Sequence, residues 1–136
     1  MHPTERGRDH IESALVREIG GRSEIILALL HGSFLEGGPH RDVDVAIWLD
    51  PIRTTAAQRF QYALDLSVDL SATLGCAIDV RALNDATLAF RYHALGGRPL
   101  IARDEDQLAE LRARTWDEYF DFQPFARQYL REILRG

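Results

Sequence analysis

The chain is 136 residues long, with 46% apolar residues, 27% charged residues and a formal net charge of −5 at pH 7. This length and composition are typical of one folded domain, and the acidic balance argues against a domain that coats DNA or RNA. A single cysteine, Cys76, excludes an internal disulfide and a cysteine-rich zinc site, and the absence of lysine excludes a phosphate-binding or Schiff-base lysine.

The first third of the chain predicts one helix and two strands. Apolar residues recur at helical spacing over 9–20, where a glycine pair ends the pattern. Ile25–Leu30 has the length of a buried strand and is far too short to span a membrane, and Val43–Leu49 is a second strand rich in β-branched residues. His31–Arg41 is predicted to be a tight connection. Because the chain also starts without the apolar segment of a signal peptide, we expect a cytoplasmic protein with no membrane partner.

A long helix and a third strand are predicted next. Thr55 and Gln58 have the spacing of a capping box, and Gly75 ends the helix. The side chains expected on its inner face are Phe60, Ala63, Leu64, Ser67, Ser71 and Leu74. The strand that follows, Cys76–Leu83, alternates apolar with charged residues.

A short helix and an edge strand come after the third strand. Asn84-Asp85 is placed to cap a helix from Ala86 to about Leu95, which a second glycine pair ends. Pro99–Ala102 is typical of a short edge strand.

The tail of the chain is predicted to be helical from Asp106 onward, with Pro124 dividing it into two helices. Its expected inward-facing side chains are Leu108, Leu111, Tyr119, Phe125, Tyr129 and Ile133. The element order α-β-β-α-β-α-β-α-α predicts one α+β (mixed α/β) domain over 1–136. Its core would cover about 9–103 and its helical tail about 104–136.

Two aspartates at the start of the second strand form the most informative motif. Asp42 and Asp44 are two residues apart, so their side chains leave the same face of a strand, with Cα atoms about 6.5 Å apart. Val43, Val45 and Ile47 would then pack on the opposite face. Such close carboxylates repel each other, and a shared divalent cation, Mg²⁺ or Mn²⁺ rather than zinc, relieves the repulsion. The alternative is a solvated strand edge.

Residues on the neighbouring strands extend this motif. Gly32-Ser33 follows the first strand, where the glycine permits close approach of a ligand and the serine offers a hydroxyl and an amide to phosphates. On its own such a pair is more often a plain turn. Asp79 lies within the third strand, a costly place for an unpaired carboxylate. It either joins the two aspartates around a metal or pairs with an arginine such as Arg81.

These residues, in this order, resemble the signature of the minimal nucleotidyltransferases (MNT) of the DNA polymerase β-like superfamily. The tail over 116–125 is also similar to the end of MNT antitoxins. The resemblance implies the nucleotidyltransferase fold, in which helices flank a small mixed sheet, with ATP and Mg²⁺ (or Mn²⁺) as cofactors. It also implies an antitoxin that transfers AMP to a tyrosine of a HEPN ribonuclease toxin, which is its partner, without binding nucleic acid directly.

The resemblance assigns roles to five positions. Asp42, Asp44 and Asp79 would be the metal ligands and catalytic residues, with Asp79 helping to take the acceptor proton. Gly32 and Ser33 would hold the β- and γ-phosphates.

Two positions depart from the family pattern. Arg41 stands where the family commonly has serine or threonine before the first aspartate, and Glu36 stands where it commonly has a loop arginine. Glu36 would repel a triphosphate, so a second hypothesis is an antitoxin without catalysis that masks its toxin by contact.

Several other side chains have two interpretations. His31 and His40 could touch phosphate or simply end a strand and a turn, and Trp48 could stack on a base or pack in the core. The aromatic residues of the tail are too many for one helix face, so some could form a partner surface.

Overall fold

The structure, a computed structural model, describes residues 5–36 and 42–135. Its elements are α1 (Glu5–Gly20), β1 (Ile25–His31), α2 (Ser33–Glu36), β2 (Val43–Leu49), α3 (Ala56–Leu74), β3 (Ile78–Ala82), α4 (Leu88–Leu95), β4 (Arg98–Ala102) and α5 (Glu105–Arg135). The predicted connection after the first strand differs in two respects. His31 belongs to β1, and four residues after Gly32 form the helical turn α2.

The four strands form one sheet in the order β3-β2-β1-β4. β1 pairs antiparallel with β2 and β4, whereas β2 pairs in parallel with β3. A parallel pair needs a long crossover, which α3 supplies. This mixed sheet flanked by helices confirms the predicted α+β class and puts β1 and β2 at its centre.

Side-chain alternation along the central strands divides the core between two faces of the sheet. On the α1/α3 face, the buried cluster includes Leu15, Ile19, Val43, Val45, Ile47, Leu66 and Leu70. On the α4/α5 face, a smaller cluster contains Leu27, Leu29, Ala46, Leu83, Ala94, Leu95 and Leu108. The predicted burial of the valines and isoleucine of β2, opposite the aspartates, is therefore confirmed.

The buried stripe of α3 is rotated from the predicted one. The capping box of Thr55 and Gln58 is present, but the residues buried along the helix are Ala63, Leu66 and Leu70. Phe60 and Leu64, expected on the inner face, are 68% and 48% exposed. The reason is that α3 packs on the sheet and also contacts the outer edge of β3. Part of the helix surface that was predicted to be apolar therefore carries polar contacts to that edge.

Two serines of α3 bind the outer edge of β3. The Ser67 hydroxyl accepts a hydrogen bond from the Val80 N–H at 2.8 Å. The Ser71 hydroxyl accepts one from the Ile78 N–H at 2.9 Å and donates to the Ile78 carbonyl at 3.2 Å. Unpaired backbone groups on an edge strand are a template for another strand, and α3 occupies them here.

α4 begins later than predicted because Asn84 and Asp85 have other partners. Thr87 is the N-cap, and its hydroxyl accepts a hydrogen bond from the Phe90 N–H. The Asn84 side chain bonds both the N–H and the carbonyl of Leu49, while Asp85 forms an ion pair with Arg59. The predicted cap was therefore wrong, although the helix ends at Gly96 as expected.

α5 is one continuous helix of 31 residues with Pro124 inside it, so the predicted division into two helices is wrong. Proline removes one helical N–H donor, but the carbonyl left without it belongs to Phe120, in an exposed part of the helix where water can reach it. Leu108 is buried as expected. Phe125, Tyr129 and Ile133, predicted to face inward, are instead more than half exposed.

Among the described residues, no helix combines the length and the apolar character needed to cross a bilayer.

Candidate active site

A row of polar side chains crosses three strands of the sheet. His31 at the end of β1 is paired with Asp44 at the start of β2, and Asp44 is paired with Asp79 on β3. Neighbouring strands lie about 4.8 Å apart, and paired residues present their side chains on the same face. The structure therefore brings Asp44 and Asp79 side by side on the α4/α5 face, and adds His31, for which the sequence left two interpretations.

Gly32 lies directly against this row. Its φ of 80° is in the left-handed region, which glycine adopts without strain. A Cβ atom at this position would collide with the Asp44 Oδ2 atom and lie 3.3 Å from its Cγ. Any larger residue would displace Asp44, so the glycine fixes the distance between the end of β1 and the carboxylate.

The electrostatics of the row reflect crowded negative charge. Burial raises the pKa of the Asp44 carboxyl, and the negative charges of Asp79 and Asp42 raise it further, against the opposing effect of Arg81. Burial also lowers the pKa of His31, with Arg81 adding to that effect and Asp79 opposing it. A cation bound between the carboxylates would relieve their repulsion.

Asp79 has the arginine partner that was the alternative to a metal. Its Oδ2 lies 3.4 Å from the Nε of Arg81, and both side chains are substantially exposed. In the described residues, no three side chains of the His, Cys, Asp and Glu types are close enough together to hold a metal ion. The carboxylate oxygens of these aspartates are ligands that suit Mg²⁺. In this structure, however, Asp42, Asp44 and Asp79 do not converge on one point. The positive charge beside Asp79 is that of the Arg81 guanidinium instead of a metal ion.

An aromatic ring from α4 covers the row. The Phe90 ring meets that of His31 edge-on, with centroids 5.5 Å apart, and the Arg81 guanidinium carbon lies 5.6 Å from the Phe90 centroid. With Asp44 and Asp79 these side chains enclose a cavity of about 220 Å³, called here the row cavity. Sequence reasoning missed Phe90 and treated Arg81 only as a possible partner. Arg81 could have been predicted to lie on the same face of β3 as Asp79, because the two residues are two positions apart on one strand. Phe90, in contrast, reaches the row only through the packing of α4 on the sheet.

Two larger cavities adjoin the row cavity on different sides. The β3 cavity, of about 580 Å³, lies between α3, β3 and α4, and its lining includes Asp79, Arg81, Asp85 and the exposed Phe60. The Trp116 cavity, of about 390 Å³, is lined by His31, Gly32 and Gly97 and by the rings of Tyr92, Trp116 and Phe120. His31 lines both the row cavity and the Trp116 cavity.

The remaining candidate residues have simpler positions. Ser33 begins α2 next to Gly32, and Asp42 is exposed just before β2. Trp48 packs against the cluster on the α4/α5 face, which supports its core interpretation. His40, Arg41 and the side chain of Glu36 lie outside the described part of the chain.

Comparison with known proteins identifies the fold. Residues 14–106 match the sequence model for polymerase beta nucleotidyltransferases. No curated protein matches the chain. Among solved structures, it is similar to a chain in the complex of a tri-AMPylated HEPN toxin with its MNT antitoxin from Shewanella oneidensis. The two share 16% identity with a TM-score of 0.69 over 93% of this chain and 98% of that one.

Two further complexes contain similar chains, each aligned over 93% of this protein and 98% of the other chain. A chain of the toxin–antitoxin pair MntA–HepT has 15% identity and a TM-score of 0.69, and a chain of a toxin–antitoxin structure with AMP-PNP has 19% and 0.66. At these identities the likeness establishes the nucleotidyltransferase fold that the motifs predicted. Since the matched segment covers well over half of its length, the chain belongs to the polymerase beta nucleotidyltransferase family.

Proposed function

We propose that this protein is a Mg²⁺-dependent nucleotidyltransferase that moves AMP from ATP to a hydroxyl group of another protein, a tyrosine of a cognate HEPN toxin. The observation that carries the proposal is the pairing of Asp44 with Asp79 on one face of the sheet, directly beside Gly32. The similar solved structures include a tri-AMPylated HEPN toxin with its antitoxin and a complex with AMP-PNP, and both descriptions favour this reaction. We place the reaction in the cytoplasm, where ATP is available.

Gly32 and Ser33 would bind the β- and γ-phosphates of ATP through their backbone amides and the serine hydroxyl. Gly32 is suited to this because no side chain separates its backbone from the row. Ser33 directly follows Gly32 and begins α2, where it is half-buried.

Asp42, Asp44 and Asp79 would hold the metal. A bound Mg²⁺ would neutralise phosphate charge and polarise the α-phosphate. For Asp79 to join the other two carboxylates, its 3.4 Å ion pair with Arg81 must open. Since the side chains of Arg81 and Asp79 are 63% and 40% exposed, opening the pair costs about 1 kcal/mol or less.

In the transfer itself, the acceptor hydroxyl oxygen forms a bond to the α-phosphorus as the bond to the bridging oxygen breaks, and pyrophosphate leaves. Asp79 would accept the hydroxyl proton. Its side chain is 40% exposed, so an acceptor hydroxyl can approach it. The chain thus contributes position and charge, which supply most of the catalysis in phosphoryl transfer.

The test is the intact mass of a HEPN toxin encoded beside this protein, measured after incubation with this protein, ATP and Mg²⁺. We expect the toxin to gain the mass of one or more AMP units. Asp79→Ala should abolish the gain, while Asp69→Ala, at an exposed carboxylate of α3, should leave it intact. No mass gain with the parental protein, under conditions in which it binds ATP, would contradict the proposed reaction.

A second candidate function is a binding module that masks the toxin by contact. The observation in its favour is the exposed apolar stripe on the distal half of α5, where Phe125 and Tyr129 are 72% and 64% exposed. Such a stripe is typical of a surface that a partner covers.

The two functions differ in what Asp79→Ala does to the toxin's ribonuclease activity. An enzyme loses protection together with AMP transfer, whereas a mask keeps it, because Asp79 is on β3 and not on α5. Full neutralisation by folded Asp79→Ala protein at stoichiometric concentration would support the mask and contradict the catalytic antitoxin.

A further inference from the structure

Several aromatic rings line the Trp116 cavity. Trp116 and Phe120 are four residues apart on α5, so they share one face of the helix, and they remain 38% and 58% exposed at the cavity. The Tyr92 ring is held opposite by stacking on Tyr119, with centroids 3.7 Å apart and planes 6° apart. The cavity therefore presents aromatic surfaces whose orientation is partly fixed before any ligand enters.

Charge also separates the two cavities. The described residues lining the Trp116 cavity include no aspartate or glutamate, whereas Asp79 and Asp85 line the β3 cavity. The negative charge of ATP lies on its phosphates and its nucleoside is neutral, so an aromatic cavity without carboxylates suits the nucleoside half of the molecule.

The Trp116 cavity also adjoins the proposed site of the phosphates. Gly32 and His31 form part of its wall, and His31 separates it from the row cavity. A nucleotide with its α-phosphate at the row can therefore extend its nucleoside past His31 without crossing the acceptor side at β3. The volume of about 390 Å³ is within the usual range for small-ligand pockets.

From this arrangement we infer that the Trp116 cavity is the nucleoside site, in which Trp116 and Phe120 stack on the adenine base. The inference rests on the proposed function, since it locates one half of the ATP that the carboxylate row would use. It makes Trp116 and Phe120 binding residues, and it assigns α5 a part in the substrate site as well as in the fold.

The test compares two ligands that differ by the nucleoside. The affinities of Mg²⁺-ATP and of Mg²⁺-tripolyphosphate are measured by calorimetry for the parental protein, Trp116→Ala, Trp116→Phe, Phe120→Ala and Phe60→Ala. Trp116→Ala is expected to weaken ATP binding about tenfold, equivalent to about 1.4 kcal/mol, and to leave tripolyphosphate binding unchanged. Trp116→Phe retains a stacking surface and should restore most of the loss, and Phe120→Ala should show a smaller loss than Trp116→Ala.

Phe60→Ala is the matched control, because it removes an exposed ring from the β3 cavity. It should change neither affinity, and an ATP-specific loss there instead of at Trp116 would move the base to the β3 cavity. Unchanged ATP affinity in both α5 variants, or an equal loss for both ligands, would overturn the nucleoside site alone. If the parental protein binds neither ligand, the proposed function fails, and the nucleoside site fails with it.

Discussion

The two faces of the sheet are made from the same strands but have different tasks. On the α1/α3 face, β2 contributes Val43, Val45 and Ile47 to a cluster that is closed to water. On the α4/α5 face, the same strand begins with Asp44 in a row of polar groups and continues with Ala46 in the smaller cluster. One strand thus anchors the fold with one set of alternate residues and presents charge with the other. Stability and binding should therefore respond to different substitutions.

The largest expected effect is on binding at the row. Asp44→Asn should weaken Mg²⁺-dependent ATP binding by about 100-fold or more, since it removes the central carboxylate of the row, which is paired with both His31 and Asp79. Because it also removes one of several repelling carboxylates, the free energy of unfolding without metal should be unchanged or slightly higher. Calorimetric titration and urea unfolding measure the two quantities. Asp69→Asn is the matched control, and equal affinities in the two variants would contradict the metal site.

The corresponding prediction for stability concerns a buried residue on the α1/α3 face. Leu70 is 1% exposed, and Leu70→Ala should lower the free energy of unfolding by about 2–5 kcal/mol. Leu64→Ala, the same change at a 48% exposed position of the same helix, should cost about 0.5 kcal/mol. Urea denaturation compares the two, and similar losses would show that α3 is not packed as described.

A pH-dependent contact also belongs to the α1/α3 face. The Tyr62 hydroxyl donates a hydrogen bond of 2.5 Å to the Glu24 carboxylate. This bond lowers the pKa of Glu24, so its contribution to stability is present above the carboxyl's unfolded pKa and is lost as the pH falls through the lower folded value. Burial, reinforced by Glu24, raises the pKa of Tyr62 to about 12, so the tyrosine's contribution is lost as the pH rises from about 10 toward 12.

Tyr62→Phe should therefore lower stability by about 1 kcal/mol at neutral pH and by less at both extremes of pH. Urea midpoints across pH 3 to 11 test this. Tyr129→Phe, at a 64% exposed position, should follow the parental curve throughout. A Tyr62→Phe curve parallel to that of the parent would mean that the hydrogen bond makes no pH-dependent contribution.

The smallest expected effect concerns the ion pair within the row. Arg81→Met releases Asp79 and removes a positive charge, so the Mg²⁺ concentration for half-maximal ATP binding should fall, by about fivefold at most for an exposed pair. Arg98→Met is the control, since Arg98 is also a strand arginine paired with a carboxylate, Glu12. A rise in the required Mg²⁺ would indicate that Arg81 binds the nucleotide instead of competing with the metal.

Local patterns in the sequence predicted most of this fold. Alternation along β2 predicted which residues face the core, and the capping box at Thr55 and the left-handed Gly75 predicted the ends of α3. For the site, the two-residue spacing placed Asp42 and Asp44 together at the start of β2, and it left the partner of Asp79 open. These features depend on spacing within one element or on one short connection.

The wrong predictions are those in which tertiary contacts or exposure to water, and not the local sequence pattern, determine the structure. Asn84 resembled a helix cap but bonds Leu49, 35 positions earlier, and Phe60 resembled a core residue although α3 turns it away from the sheet. Pro124 normally interrupts a helix, yet α5 continues through it where the chain is open to water. Phe90 reaches the row only through the placement of α4 over the sheet, which no local pattern predicts.

If Asp79 takes the proton of a protein hydroxyl, as proposed above, the hydroxyls of Ser67 and Ser71 limit how that protein can approach it. Because they bind the outward backbone groups of Val80 and Ile78, an incoming peptide cannot extend the sheet at these two residues. In the proposed reaction, a substrate protein would therefore keep its own backbone away from this edge and offer its hydroxyl at the end of a long side chain. Tyrosine, with its reactive oxygen at the far end of a rigid ring, meets that geometric demand better than serine or threonine.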